Sequence, residues 1–425
     1  MERKTVSELE TIYISEWSYL GPKNIKRNYG IEELKEEDTD IIRDLEEQGK
    51  VKLRELREGL EIKTNSHVGI VKLSNFQLII TPKIDKFELA KMLSFTLDLE
   101  EIIFIESEAQ TDVKGANVSD IIALTFINKA EKIFLSGLVK RYKEKEEEIS
   151  SCRGKILFNK VARDSSLGLS LPCRYQELTQ DISENRLILA SLNELFNWVS
   201  NHILRMKLKI AAEKFSAKIS SEPLSSILLE DAKKDSDRLS EHYQPLIELA
   251  EIILKQKDFR MFSGELGFNS FLIDMNDLFE KFLYRYFLKI CPKNMSIKYQ
   301  SSLANKFISD KGSNYSMIPD YKFYYNGKLK AIGDAKYKNY SNKDIQSSDL
   351  YQLTTYSIAS RGKTKQVFLY YPLENSEEEK KQYNLKNNLG DENVKITAVG
   401  LPLKKMLNNL DKKIAIIPFA NRNVG

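Results

Sequence analysis

Apolar and polar positions alternate strictly in two early stretches, Thr11-Ile12-Tyr13-Ile14 and Leu60-Glu61-Ile62-Lys63, which puts their apolar side chains on one face of an extended segment. Residues 67–73 and 77–84 are denser apolar runs on either side of Ser74-Asn75, the pattern of two strands joined by a turn. Residues 31–58 are acid-rich and predict a helix with one solvated face. Beyond residue 119 the period changes. Ile122, Phe126, Ala130, Ile133, Phe134, Leu138 and Val139 form one helical stripe running to about residue 145, and the mixed charges over 143–148 read as the exposed end of that helix. A second long helix opens at Asp181 or Ser183, with Leu187, Ala190, Leu195, Val199 and Leu204 inward. Residues 216–237 read as a joining loop and 243–255 as a third helix.

The remainder has a simpler order. A helix over 276–290 precedes a strand over 295–302, and two further strands flank Asn326-Gly327. That pair suits a two-residue type I′ turn, which needs positive φ at both positions. A helix over 348–360 and a strand over 366–371 follow, then a charged loop or helix over 374–381 and a last strand over 394–403. The order α-β-β-β-α-β predicts an α/β core in a chain that is α+β overall. Three regions result: a mixed, strand-rich domain over 1–118, a helical region over 119–255 and the α/β domain over 256–425, as the length of 425 residues leads one to expect.

Composition narrows the chemistry. With 42% hydrophobic residues the chain can build real cores, and its net charge of only +4 leaves no global basic field, so any nucleic-acid contact must come from local patches. Three cysteines with no CxxC pair argue against a disulfide framework and structural zinc, and three histidines far apart in sequence against a His-rich metal site. The N-terminus leads to no apolar signal region, and no run of about 18 apolar residues occurs. These features predict a cytoplasmic protein with no membrane partner.

Reactive side chains concentrate over residues 318–340. Asp320 and Asp334 lie on adjacent strands, and Lys336 shares a strand face with Asp334 because side chains alternate with period two. Two carboxylates can hold a divalent ion such as Mg²⁺, with Mn²⁺ as a substitute and the carbonyl of Ala335 as a further ligand; a nearby lysine can orient water or stabilise developing negative charge. That set suits phosphodiester hydrolysis. Glu280 sits at the edge of the apolar stripe formed by Phe279, Leu283, Tyr286 and Ile290, where it can reach over the sheet. Gln352 and Tyr356, four apart, share one helical face from which they could bond a DNA phosphate or align the lysine. One geometric obstacle stands in the way. A regular hairpin centred on Asn326-Gly327 would pair Asp320 with Gly333 and put Asp334 on the opposite face, so a shared metal demands a broken register, expected at Pro319, as a bulge at Gly333 or through a longer turn. Arg361-Gly362-Lys363-Thr364 does not complete a phosphate-binding loop: Ser357 stands where the first glycine belongs, and the segment joins helix to strand. The chain is therefore expected to bind no nucleotide itself. The simplest alternatives are ordinary ones: an acid-x-lysine on a strand is often plain surface, and the Phe and Tyr residues over 262–325 serve a core better than a base-stacking surface.

Taken together, Pro319-Asp320 and Asp334-Ala335-Lys336 resemble the PD-(D/E)xK nuclease superfamily, and Gln352 with Tyr356 resembles its accessory Q-x-x-x-Y motif. More narrowly, the chain resembles the McrC-type nuclease subunits of McrBC-like, modification-dependent restriction systems. The residues that carry this likeness are 276–282, 318–320, 334–338, Asp349-Leu350-Tyr351-Gln352 and Leu369-Tyr370-Tyr371-Pro372, with 69–71, 78–84 and 181–187 in the front half. The resemblance implies a restriction-endonuclease-like core, Mg²⁺-dependent cleavage of double-stranded DNA, and a front half that docks on an McrB-like ring of AAA+ GTPase subunits and stimulates their hydrolysis. Two other functions remain open from sequence: a stand-alone DNA nuclease of the same core, and a non-catalytic scaffold whose acids are structural.

Overall fold

In the computed structural model the described residues are 10–97, 118–161, 170–199, 201–261, 271–303, 306–308, 310, 314–338, 340–341, 343–360, 366–373, 377–385 and 394–410. The chain forms two compact units: one of residues 1–69, 75–107 and 272–425, the other of 70–74 and 108–271. The three regions expected from sequence divide the chain in order along its length. The compact units divide it in space, and the first takes in both ends.

In the first unit, strand Glu10–Ser15 pairs in parallel with Phe76–Thr81, and the hairpin Val51–Leu56/Gly59–Thr64 pairs with the short strand Tyr19–Leu20. The helix expected over 31–58 is confined to Thr39–Glu47, after a single 3₁₀ turn at Glu36–Asp38. Val51 and Leu53 alternate inward from the next strand, so period two prevails there over acidic composition.

The rest of this unit is a six-stranded sheet between helices. Helix α1 (Met275–Ile290) leads to β1 (Met295–Tyr299), β2 (Tyr321–Tyr325), β3 (Lys328–Ala335), α2 (Ser347–Ala359), β4 (Gln366–Leu373), β5 (Glu379–Leu385) and β6 (Val394–Pro402). The spatial order is β1-β2-β3-β4-β6-β5, with β3, β4 and β6 mutually parallel and β5 antiparallel at the edge. This is the restriction-endonuclease-like α-β-β-β-α-β core, extended by β5 and β6. β5 takes up part of the stretch expected as a charged loop or helix. Asp274 caps α1 by accepting the Asn276 amide at 2.9 Å, and the same carboxylate accepts from the Ser66 hydroxyl at 2.9 Å. Phe287 of α1 packs edge-on against Tyr321 and Phe323 of β2, and Tyr370 of β4 closes the same cluster. Residues of α2 cover a second core of Ile332, Val367, Leu369 and Tyr371.

The second unit has helices Val118–Ser136, Ser183–Trp198, His202–Ser216, Ser226–Asp235 and Gln244–Met261. Four expectations change here. The helix expected to carry Leu187 through Leu204 ends at Trp198, and Leu204 belongs to a new helix capped by Asn201. The helix expected to reach residue 145 stops at Ser136, where Gly137 takes a φ of 95°. The charged run over 143–148 lies in a strand, Arg141–Ile149, paired along its length with Leu171–Thr179. Cross-strand ion pairs such as Arg174–Glu146 and Lys145–Glu177 give the alternating charges partners that a solvated helix would not. The loop expected over 216–237 contains a helix whose Leu228, Leu229 and Ala232 are buried, begun by Ser225, which accepts the Leu228 amide.

Candidate active site

The hairpin turns as expected and bends where it was not expected to. Asn326 and Gly327 have φ values of 47° and 74°, and Tyr325 faces Lys328. From the turn, Tyr324 pairs with Leu329, but Phe323 pairs with Ala331 and Tyr321 with Gly333. Lys330 is thus an extra residue in β3, a bulge that shifts the register by one. Carried one residue further, the pairing sets Asp320 across from Asp334, on one face. The bulge lies neither at Pro319 nor at Gly333; Gly333 is regular, and its role is space. A Cβ there would come within 3.0 Å of the Phe323 and Tyr370 rings.

Asp320 is tied across the hairpin: its Oδ2 accepts the Ala335 amide at 2.6 Å. The carboxyl of Glu280, which α1 delivers from its half-buried edge, neighbours that of Asp320. Burial, the Glu280 hydrogen bond and the Glu280 charge together push Asp320 up to about 9, against the opposing pull of the Ala335 amide and Lys336. Asp334 is 1% exposed, and burial followed by the Asp320 charge pushes it up to about 7. Lys336 Nζ stands 2.7 Å from Asp334 Oδ2, yet that oxygen receives no donor in hydrogen-bonding geometry. The contact is an ion pair. Burial disfavours the Lys336 ammonium, but Asp334, Asp320 and Asp349 outweigh it and raise its pKa.

Gln352 and Tyr356 act as a pair. The Gln352 amide donates to the Tyr356 hydroxyl at 2.7 Å, and that hydroxyl donates to the Ile318 carbonyl at 3.3 Å. They tie α2 to the segment entering Asp320. Burial and then the charge of Asp334 push Tyr356 up to about 12, so it is a neutral donor at the rim of the acids. All six residues singled out in the sequence, Glu280, Asp320, Asp334, Lys336, Gln352 and Tyr356, therefore belong to one neighbourhood.

Sequence reasoning assigned no role to Asp349. It is buried in the first turn of α2, accepts from Lys338 Nζ at 3.1 Å and from the Tyr340 hydroxyl, and adds negative charge beside Asp334 and Lys336. In sequence it stood only as the first residue of the Asp349-Leu350-Tyr351-Gln352 run that carries the family likeness, and an acid at a helix start ordinarily means dipole compensation.

Among the described residues no group of three or more His, Cys, Asp or Glu side chains forms a preassembled metal cage. The donor set nonetheless fits a hard, partly hydrated cation. Two carboxyls meet at one end of a hairpin, one of them buried with an oxygen that meets only the Lys336 ammonium, and burial with their mutual proximity raises both above the usual carboxylate range. Mg²⁺ characteristically takes one or two carboxylates and keeps its waters.

A family model described as "McrBC 5-methylcytosine restriction system component" matches residues 62–372. No curated protein matches the chain. Among solved structures, a chain of the refined half-complex from the tetradecameric assembly of Thermococcus gammatolerans McrB AAA+ hexamers with bound McrC is similar, with a TM-score of 0.58 at 20% identity, covering 94% of this chain and 99% of that one. A chain of the Thermococcus gammatolerans McrBC complex gives a TM-score of 0.44 at 21% identity, over 67% of this chain and 88% of that one. The shared fold rests on the first of these. No helix among the described residues is long and apolar enough to cross a membrane.

Proposed function

The chain belongs to the McrBC 5-methylcytosine restriction system component family, and from that premise we propose that it is the Mg²⁺-dependent DNA endonuclease subunit of a GTPase-driven restriction complex. The observation that carries this reading is the convergence of Asp320, Asp334 and Lys336 at one end of a bulged hairpin, with Asp334 buried and one of its oxygens unsatisfied. Asp320 and Asp334 would hold the metal, which supplies Lewis acidity at the scissile phosphate and a more acidic bound water. Asp320, whose pKa is raised by burial and by the neighbouring Glu280, would enter that state by giving up its proton. Lys336, charged and partly exposed at 24%, faces the phosphate and counters negative charge as it develops on the non-bridging oxygens. Tyr356, neutral and held between Gln352 and the Ile318 carbonyl, fixes the segment that enters Asp320.

In the same reading the front half contacts an AAA+ GTPase ring of the McrB kind and stimulates it, and the complex works on double-stranded DNA in the cytoplasm. Similarity to a structure of McrB AAA+ hexamers with bound McrC supports this, as does the lack of a complete phosphate-binding loop in the sequence.

The experiment is cleavage of DNA carrying 5-methylcytosine by the chain assembled with its AAA+ partner, with GTP and Mg²⁺. Asp320→Ala and Lys336→Ala should each slow cleavage by about a thousandfold, the scale of losing a well-placed electrostatic group, while assembly and nucleotide hydrolysis persist. Wild-type cutting by Asp320→Ala would overturn the assignment.

A further inference from the structure

We propose that Glu16, at the end of the first strand, is a positioning residue for Lys336 and acts through Tyr337. The proposal rests on the nuclease reading of Lys336. All of the residues involved lie in one compact unit.

Glu16 is fully buried, and its amide donates to the Thr81 carbonyl at 3.0 Å, continuing the pairing of Glu10–Ser15 with Phe76–Thr81. Its Oε1 accepts two hydrogen bonds, from the Lys83 amide at 2.7 Å and from the Tyr337 hydroxyl at 3.1 Å. Its Oε2 finds no hydrogen-bond partner. The next residue, Trp17, has a φ of 54°, a conformation that side chains other than glycine rarely adopt, and its amide is held by the Asn65 carbonyl at 3.0 Å. Glu16 is therefore pinned from both sides by main-chain bonds. A buried carboxyl with an unsatisfied oxygen is a costly way to accept a tyrosine hydroxyl. What the carboxyl holds explains its place.

Tyr337 follows Lys336 directly. The Lys336 amide makes its ladder bond to the Tyr370 carbonyl at 2.8 Å, and the chain then turns sharply, with the Lys338 amide donating to the Lys336 carbonyl at 2.8 Å. Past the end of β3 the backbone has no strand pairing, so the aim of Lys336 depends on how its neighbours are anchored. Lys338 is anchored by Asp349. Tyr337, 4% exposed, is anchored by Glu16 and by its ring against Phe279, 5.7 Å between centroids. Phe279 immediately precedes Glu280, the partner of Asp320. One buried hydroxyl–carboxyl bond thus steadies the lysine and, through a ring contact, the residue beside the acid.

The test is steady-state cleavage by the assembled complex for Tyr337→Phe, Glu16→Ala, Glu16→Gln, the Tyr337→Phe/Glu16→Ala double variant and Asp320→Ala. Tyr337→Phe and Glu16→Ala should each lower kcat about tenfold and leave KM for DNA unchanged, as small misplacements of a reacting group do. The double variant should be no slower than either single one, since both remove the same bond. Glu16→Gln keeps the accepting oxygen and should restore at least half of wild-type kcat. Wild-type kcat for Tyr337→Phe, or a Glu16→Gln as slow as Glu16→Ala, would overturn the proposal; if Glu16→Ala does not fold, these two variants decide. An active Asp320→Ala would bring down the nuclease reading itself, whereas an inactive Asp320→Ala beside a fully active Tyr337→Phe would bring down only this inference.

Discussion

Asp320 reaches across its hairpin to accept the amide hydrogen of Ala335, the residue between the second acid and the lysine, at 2.6 Å. That bond exists because Lys330 is an extra residue in β3. Without it Asp320 would face Gly333, and its carboxylate would be directed away from Asp334.

Deleting Lys330 should therefore convert the hairpin to a regular one and separate the two aspartates. Divalent-ion binding, followed by calorimetry, should be lost, and cleavage with it. Lys330→Ala keeps the bulge and should bind the ion as the wild type does.

Proton linkage gives a second expectation. Asp320 and Asp334 have ordinary values of 3.8 and are raised to about 9 and about 7. A carboxyl raised in the folded state binds more protons there than in the unfolded state, so stability falls as pH rises from the unfolded value through the folded one. In chelator, denaturation midpoints should decline from about pH 4 to about pH 9, the window those shifts define. Saturating Mg²⁺ should flatten the decline, and ion binding near neutral pH should release protons, seen as a buffer-dependent heat. A metal-free midpoint that rises over this range would contradict the protonated pair.

Gly333→Ala should destabilise the chain by about 1–3 kcal/mol, the usual cost of overpacking, because its Cβ would meet the Phe323 and Tyr370 rings at 3.0 Å and Tyr321 at 3.1 Å. Urea denaturation at fixed pH measures this.

In the second unit, Arg141 pairs with fully buried Glu184 at 2.6 Å and with Asp237 at 2.7 Å. Arg141→Ala would strand the Glu184 charge and should cost about 3 kcal/mol, the low end for breaking a buried pair, since Arg141 keeps 22% of its side chain in water. Arg141→Ala with Glu184→Gln should recover much of the loss.

Most of the candidate site was legible in sequence because its signals are local. Alternation put Lys336 on the face of Asp334, helical spacing joined Gln352 to Tyr356, and Asn326-Gly327 marked the turn. Less was legible where two local patterns competed. The charges over 143–148 satisfy a solvated helix as readily as a strand, and only their partners on Leu171–Thr179 decide for the strand. Asp349 looked like an ordinary helix-start acid until Lys338 and Tyr340 met it.

By itself the sequence determined the order of the core elements and the chemistry available at residues 318–340, which follow from residue types and short-range periodicity, and its motifs carried the resemblance to the family that the family model matches. The tertiary structure alone decided where the strand slips by one residue, that Glu280 lies beside Asp320, and that Glu16 lies against Tyr337. The physical reason is the same in each case. A bulge is settled by how two strands pair, and a buried acid acquires its partner from residues far away along the chain, so neither leaves a periodic trace for the sequence to carry.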